Sequence, residues 1–128
     1  MPLLLDSHSL LWFAGDSPRL PISAKIRIEN PNYIKDVSLM SLWEIAIKAA
    51  SGKLALKREA GLYLAEVMSN NGFLLLTPTY DHAILAESLP MHHRDPFDRF
   101  LIAQSLHEQM PIISADTLFD AYGVTRIL

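Results

Sequence analysis

Four acidic side chains stand where a carboxylate can do more than solvate a surface: Asp6, Glu44, Asp98 and Asp116. Asp6 follows directly on the apolar run Pro2–Leu5, and Asp116 follows the run Pro111–Ser114. Glu44 falls about one turn into the helical stretch after the run Ile34–Leu39. Asp98 falls in the first turn of the helical stretch that leads into Pro111–Ser114. If these runs are parallel strands of one sheet, sites form outside their carboxyl ends, and all four acids lie at that end. Two unit charges about 4 Å apart repel by about 4 kcal/mol at an effective dielectric near 20. Carboxylates sharing a pocket therefore take up protons or a cation. Oxygen donors without His or Cys partners suit Mg2+ or Mn2+. Water on such an ion can attack a phosphodiester while the metal stabilises the departing oxygen.

Each acid also has a simpler assignment. Asp6 and Asp116 can cap the helices that follow them, and Asp95 directly before Pro96 reads as an N-cap with Pro at the first helical position. Asp98 in a first turn complements the helix dipole. Glu44 and Lys48 are an i,i+4 pair of favourable polarity, which on a solvated surface contributes little. Glu44 nevertheless lies between two apolar rows, which predicts a partly buried position. Asp120 reads as plain surface. Residue by residue these assignments win or tie; the convergence of four acids favours a shared cleft.

The elements that must position them alternate short apolar runs with helical stretches, the pattern of a parallel α/β sheet. Strands are predicted over Pro2–Leu5, Ile34–Leu39, Phe73–Leu76, Pro111–Ser114 and Val124–Ile127. Helices are predicted over Ser7–Ala14, Ile22–Asn30, Ser41–Ser51, Glu59–Asn70, Thr79–Leu89, Asp95 to about Gln109, and Thr117–Tyr122. In Ser41–Ser51, Leu42, Ile45, Ala46 and Ala49 fall on one face expected to be buried. Leu10, Leu11, Trp12 and Phe13 suit either the core or an interface.

At 128 residues the chain makes one domain, 1–128. Half of it is hydrophobic and the mean hydropathy is +0.18, enough for a core. With 11 Lys+Arg against 14 Asp+Glu the net charge is −3, which excludes a strongly basic nucleic-acid coat but leaves room for a local basic strip. The absence of cysteine removes disulfides, thiolate metal sites and a Cys nucleophile. No basic region precedes the apolar start and no run approaches the roughly 20 residues that span a bilayer. The expectation is a soluble, cytoplasmic protein with no membrane partner.

The segments Leu3-Leu4-Leu5-Asp6-Ser7-His8, Ser41-Leu42-Trp43-Glu44-Ile45-Ala46-Ile47-Lys48, His92-His93-Arg94-Asp95-Pro96-Phe97-Asp98-Arg99 with Leu101-Ile102-Ala103-Gln104, and Ile113-Ser114-Ala115-Asp116 span the chain in order. In these the sequence resembles the PIN-domain ribonucleases, in particular VapC-like toxins of toxin–antitoxin pairs. The resemblance implies a three-layer α/β/α sandwich around a parallel sheet of four to five strands. It also implies Mg2+- or Mn2+-dependent hydrolysis of RNA. Asp6, Glu44, Asp98 and Asp116 then form the acidic quartet, with Asp6 and Asp98 the most direct ligands. Ser7 and Ser114 stand where many relatives carry Thr. A homodimer and a cognate antitoxin covering the acidic site are the implied partners.

RNA also needs positive charge near the metal. Lys48, Lys53, Lys57 and Arg58 form the densest basic stretch, and Arg94 and Arg99 flank Asp98. Lys48 and Arg99, together with Ser7 and Ser114, are the candidate substrate-binding residues. Arg99 has a second role open to it, pairing with Asp95 or Asp98. His92 and His93 have RNA stacking or bonding open to them but read first as exposed or capping loop groups; metal binding by the pair is disfavoured because adjacent side chains point apart, and His8 reads as packed beside the first helix. A receiver-type signalling domain is excluded because the third strand, Phe73–Leu76, ends without an acid and the last without Lys. A catalytically silent RNA- or protein-binding module is the alternative. A DNA-flap nuclease would need helical arches for which the chain has little room.

Overall fold

The computed structural model describes residues 1–56 and 58–128. Lys57, part of the basic stretch, lies outside the described residues. The elements run β1 (Pro2–Leu5), α1 (Ser7–Ala14), α2 (Ile22–Glu29), β2 (Ile34–Ser38), α3 (Leu39–Ala50), α4 (Ala60–Asn71), β3 (Leu74–Leu76), α5 (Tyr80–Ser88), α6 (Pro96–Glu108), β4 (Ile112–Ile113), a 3-10 helix (Thr117–Tyr122) and β5 (Arg126–Ile127). All strands are parallel, in the order β3-β2-β1-β4-β5.

β1 is central, so both of its faces are covered, which is why it reads as an unbroken leucine run. Its side chains alternate between the two sides. Leu3 and Leu5 pack with Leu10, Ile28, Val37, Ile45 and Leu64, whereas Leu4 packs with Leu101, Ile102, Ile112 and Phe119. One layer is thus built from α1 to α4 and the other from α6 and the 3-10 helix, with α5 lying on α6. This is the expected α/β/α sandwich. Each fully buried leucine contributes about 1.5–3 kcal/mol.

Helix starts follow local capping. Asp95 Oδ1 accepts the backbone N–H of Phe97 at 2.9 Å, and Pro96 takes the first position of α6. Gln109 closes α6 in the left-handed region, at φ 53°. Ser38 Oγ accepts the Met40 N–H at 3.1 Å, so α3 begins two residues earlier than predicted. Glu44 therefore stands in the second turn. β4 and β5 are two residues each, shorter than expected. The chain turns out of β4 at once, because Ser114 Oγ accepts the Asp116 N–H at 3.0 Å.

The inward side of α3 also differs from the prediction. Ile45 is buried, but its companions are Ser41 and Glu44, while Trp43 is 57% exposed. The helix packs against α1 and α6 at the carboxyl end of the sheet. Its polar edge thus faces inward there, and an apolar row faces out. Leu10 is in the core, and Leu11, Trp12 and Phe13 pack half-buried against it.

Candidate active site

Asp6 leaves the end of β1 and caps α1, its Oδ1 accepting the Ser9 N–H at 2.8 Å. The residue is only 4% exposed. Burial pushes its carboxyl above the usual range, and hydrogen bonds from Ser114 and Ser9 partly offset that. Ser9 Oγ in turn donates to the Ile113 carbonyl at 3.1 Å, tying α1 to β4.

Glu44 is buried and fully engaged. Oε1 accepts the Ser7 hydroxyl at 2.6 Å and Oε2 accepts Lys48 Nζ at 2.6 Å. The Lys48 ammonium is held above its ordinary pKa, first by this hydrogen bond, with the charges of Asp95 and Asp98 adding to it. A cavity of about 240 Å³ opens beside Glu44, lined by the apolar Leu11, Ile45 and Leu54 and by His8, Lys48 and Lys53. His8 stacks on Trp12, ring centroids 5.8 Å apart.

Among the described residues no Lys or Arg pairs with Asp98; its nearest basic neighbour is His93, at 3.2 Å. Its carboxyl is pushed up to about 7, first by burial, then by the charges of Asp95 and Glu44, with Asp6 adding and His93 opposing. These residues therefore share one field, although they come from three separate segments. Asp116 caps the 3-10 helix, Oδ1 accepting the Leu118 N–H at 2.9 Å, and its Oδ2 meets His93 Nε2 at 2.8 Å. His93 Nε2, Asp98 and Asp116 offer ligand atoms within 4.8 Å of one another. Asp95 caps α6 and adds its charge to the cleft.

The donor set fits a divalent cation. Asp98, raised to about 7 first by burial and then by three neighbouring carboxylates, stands with Asp116 and His93 where ligand atoms lie within 4.8 Å of one another, and its hard oxygens suit Mg2+ or Mn2+.

The basic residues divide differently from expectation. Arg99 is 8% exposed and turned away from the acids. Its Nη2 donates to the carbonyls of Ala86 and Leu89, both at 2.9 Å, and its Nη1 to those of Pro90 at 3.0 Å and His93 at 3.3 Å. It clamps the loop between α5 and α6 at the α5 C-terminus, where a cation is favoured, and no carboxylate pairs with it among the described residues. This position replaces both roles predicted for it, RNA contact and pairing with Asp95 or Asp98. Arg94 is exposed beside the cleft loop. Arg58 pairs with Glu66, and Arg126 pairs with Asp120. Ser7 and Ser114 are buried and spend their oxygens on the acids.

His93 is the residue that sequence reasoning missed. His92 is exposed as expected, but His93 is 8% exposed and reaches into the cleft. The one local signal is its spacing to Asp95, whose N–H is donated to His93 Nδ1 at 3.2 Å.

Comparison with known proteins adds to this geometry. The family model described as PIN domain matches residues 3–124. A comparison with curated proteins found no match. Among solved structures the chain is similar to VapBC2 from Rickettsia felis bound to a DNA fragment from their promoter. The TM-score is 0.75 at 12% identity, over 99% of this chain and 98% of that one. It is also similar to VapBC-1 from nontypeable Haemophilus influenzae, with TM-score 0.66 and 14% identity over 99% and 97% of the two chains. FitAcB from Neisseria gonorrhoeae gives 0.67 and 16% over 98% and 96%. At these identities the likeness is one of fold.

Proposed function

The chain belongs to the PIN domain family, whose members are nucleases, and from that membership we propose that it is a Mg2+- or Mn2+-dependent endoribonuclease, the toxin of a toxin–antitoxin pair. The observation that supports the reading is the convergence of the acids: Ser7 joins Glu44 to the start of α1 that Asp6 caps, and Asp98 and Asp116 both meet His93 Nε2. Asp6, Glu44, Asp98 and Asp116 would hold the ion, Asp6 and Asp98 most directly. When bound, it supplies an activated water and neutralises charge on the leaving oxygen of a phosphodiester. Ser7 and Ser114 keep Glu44, Asp6 and Asp116 in place rather than touching RNA. Lys48 and Lys53, which line the cavity beside Glu44, and the exposed Arg94 would take the phosphate backbone.

The neighbours named VapBC and FitAB support an antitoxin partner for this chain. Among the described residues no helix is long and apolar enough to cross a membrane, and a cytoplasmic setting is part of the proposal. The groove between α3 and α4, lined by Leu39, Leu42, Trp43, Leu64 and Met68, supports a homodimer.

The test is RNA cleavage by the purified protein with Mn2+, with Mg2+ and with chelator. Asp6→Asn and Asp98→Asn should each abolish metal-dependent cleavage with the fold retained. Unchanged metal-dependent cleavage by both variants would overturn the assignment. Arrest of growth on expression, relieved by a neighbouring small protein, is the matching test of the toxin role.

A further inference from the structure

His93 is held more tightly than a loop histidine needs to be. Its backbone N–H donates to the Tyr122 hydroxyl at 2.7 Å, its carbonyl accepts from Arg99 at 3.3 Å, and its ring meets Phe119 edge-on, centroids 5.7 Å apart. Nδ1 accepts the Asp95 N–H at 3.2 Å. In the neutral ring this assigns the hydrogen to Nε2. That Nε2–H donates to Asp116 Oδ2 at 2.8 Å, and Asp98 Oδ2 lies 3.2 Å from the same nitrogen.

A ring whose Nδ1 lone pair is taken and whose Nε2 carries hydrogen is a donor, not a metal ligand. Two carboxylates aimed at one point repel unless something positive stands between them. We infer that His93 is a positioning residue that stands in for the cation, its Nε2–H holding Asp116 beside Asp98 and giving way when a cation binds between them. The inference rests on the metal reading of the cleft. One N–H bonded to Asp116 and set beside Asp98 does in part what a divalent ion would do fully. It also sets a cost, because the entering ion must break a charge-assisted hydrogen bond.

The test is Mn2+ titration by calorimetry, with thermal melts in parallel, at one pH. His93→Phe keeps a ring against Phe119 but has no N–H. It should bind Mn2+ about tenfold more tightly than the wild type, equivalent to about 1.4 kcal/mol. Without Mn2+ it should melt lower, the gap closing as Mn2+ is added. His93→Gln places an amide N–H at the same reach and should match the wild type. His93→Leu is a second donor-free variant, so a folding defect in H93F alone does not decide the matter. Equal affinity in the wild type and the donor-free variants overturns the inference. Weaker binding in them also overturns it, because the ring would then be a ligand. A wild type that binds no Mn2+ overturns the metal reading itself, and this inference with it.

Discussion

Ser7 donates its hydroxyl to Glu44 Oε1 at 2.6 Å, joining residues 37 positions apart. The contact locks the first turn of α1 onto the second turn of α3. Lys48 occupies the other oxygen, so a carboxylate that is 3% exposed carries its own counter-charge. Asp98 has no Lys or Arg partner among the described residues and is raised to about 7, first by burial. The acids of the cleft are therefore unequal: one is neutralised from within, and another keeps an unmet demand for positive charge.

Removing the internal cation should expose that inequality. Lys48→Met leaves Glu44 charged, buried and paired only with Ser7. Because the Lys48 side chain is 40% exposed, breaking this pair costs less than a fully buried one would, about 1–2 kcal/mol. Urea denaturation should show a loss of that order in K48M, and the double variant Glu44→Gln with Lys48→Met should recover most of it.

Asp98 makes stability fall with rising pH. Its folded pKa of about 7 lies above the ordinary 3.8. Between those values the folded chain holds a proton that the unfolded chain has released, so stability falls as pH rises through that window. An entering ion must displace the same proton. Mn2+ affinity should therefore rise by about tenfold per pH unit below pH 7 and level off above it, as calorimetry between pH 6 and pH 8 would reveal.

Asp98→Asn separates folding from chemistry. It removes a buried charge from beside Asp95, Glu44 and Asp6, so the metal-free variant should melt higher than the wild type at pH 8. RNA cleavage should fall by at least about a hundredfold, the scale of losing a preorganised electrostatic group. A variant that melts lower at pH 8 would contradict the account of Asp98 as a repelled carboxylate.

Arg99 should behave as a scaffold residue. Arg99→Met leaves four backbone carbonyls without their donor and should cost about 3 kcal/mol. Lysine keeps the charge but lacks the planar fork, so R99K should recover only part of the loss. In hydrogen exchange, the amides of the loop between α5 and α6 should lose protection in both variants.

Local rules made much of the fold legible. The leucine run of β1, the Asp95-Pro96 start of α6 and the alternation of apolar runs with helices each act over a few residues. The family likeness ties Asp6, Glu44, Asp98 and Asp116 together in sequence, and the structure gathers them at one end of the sheet. The misreadings have geometric causes. Arg99 follows Asp98, but successive residues on a helix point about 100° apart, so adjacency turned it away from the cleft. The inward side of α3 was read as its apolar side, yet that side lines a polar cleft where Glu44 must reach Ser7. The bond from His93 to Asp116 spans 23 residues, and no local pattern carries it.

Asp6 and Asp116 each use Oδ1 to start a helix, at Ser9 and Leu118. Asparagine carries the same acceptor and is as good an N-cap as aspartate. One base-pair change can thus silence either acid while the architecture survives intact. Inactive descendants that still bind an ancestral partner are within easy mutational reach, whereas alanine at the same positions would blur lost catalysis with a frayed helix.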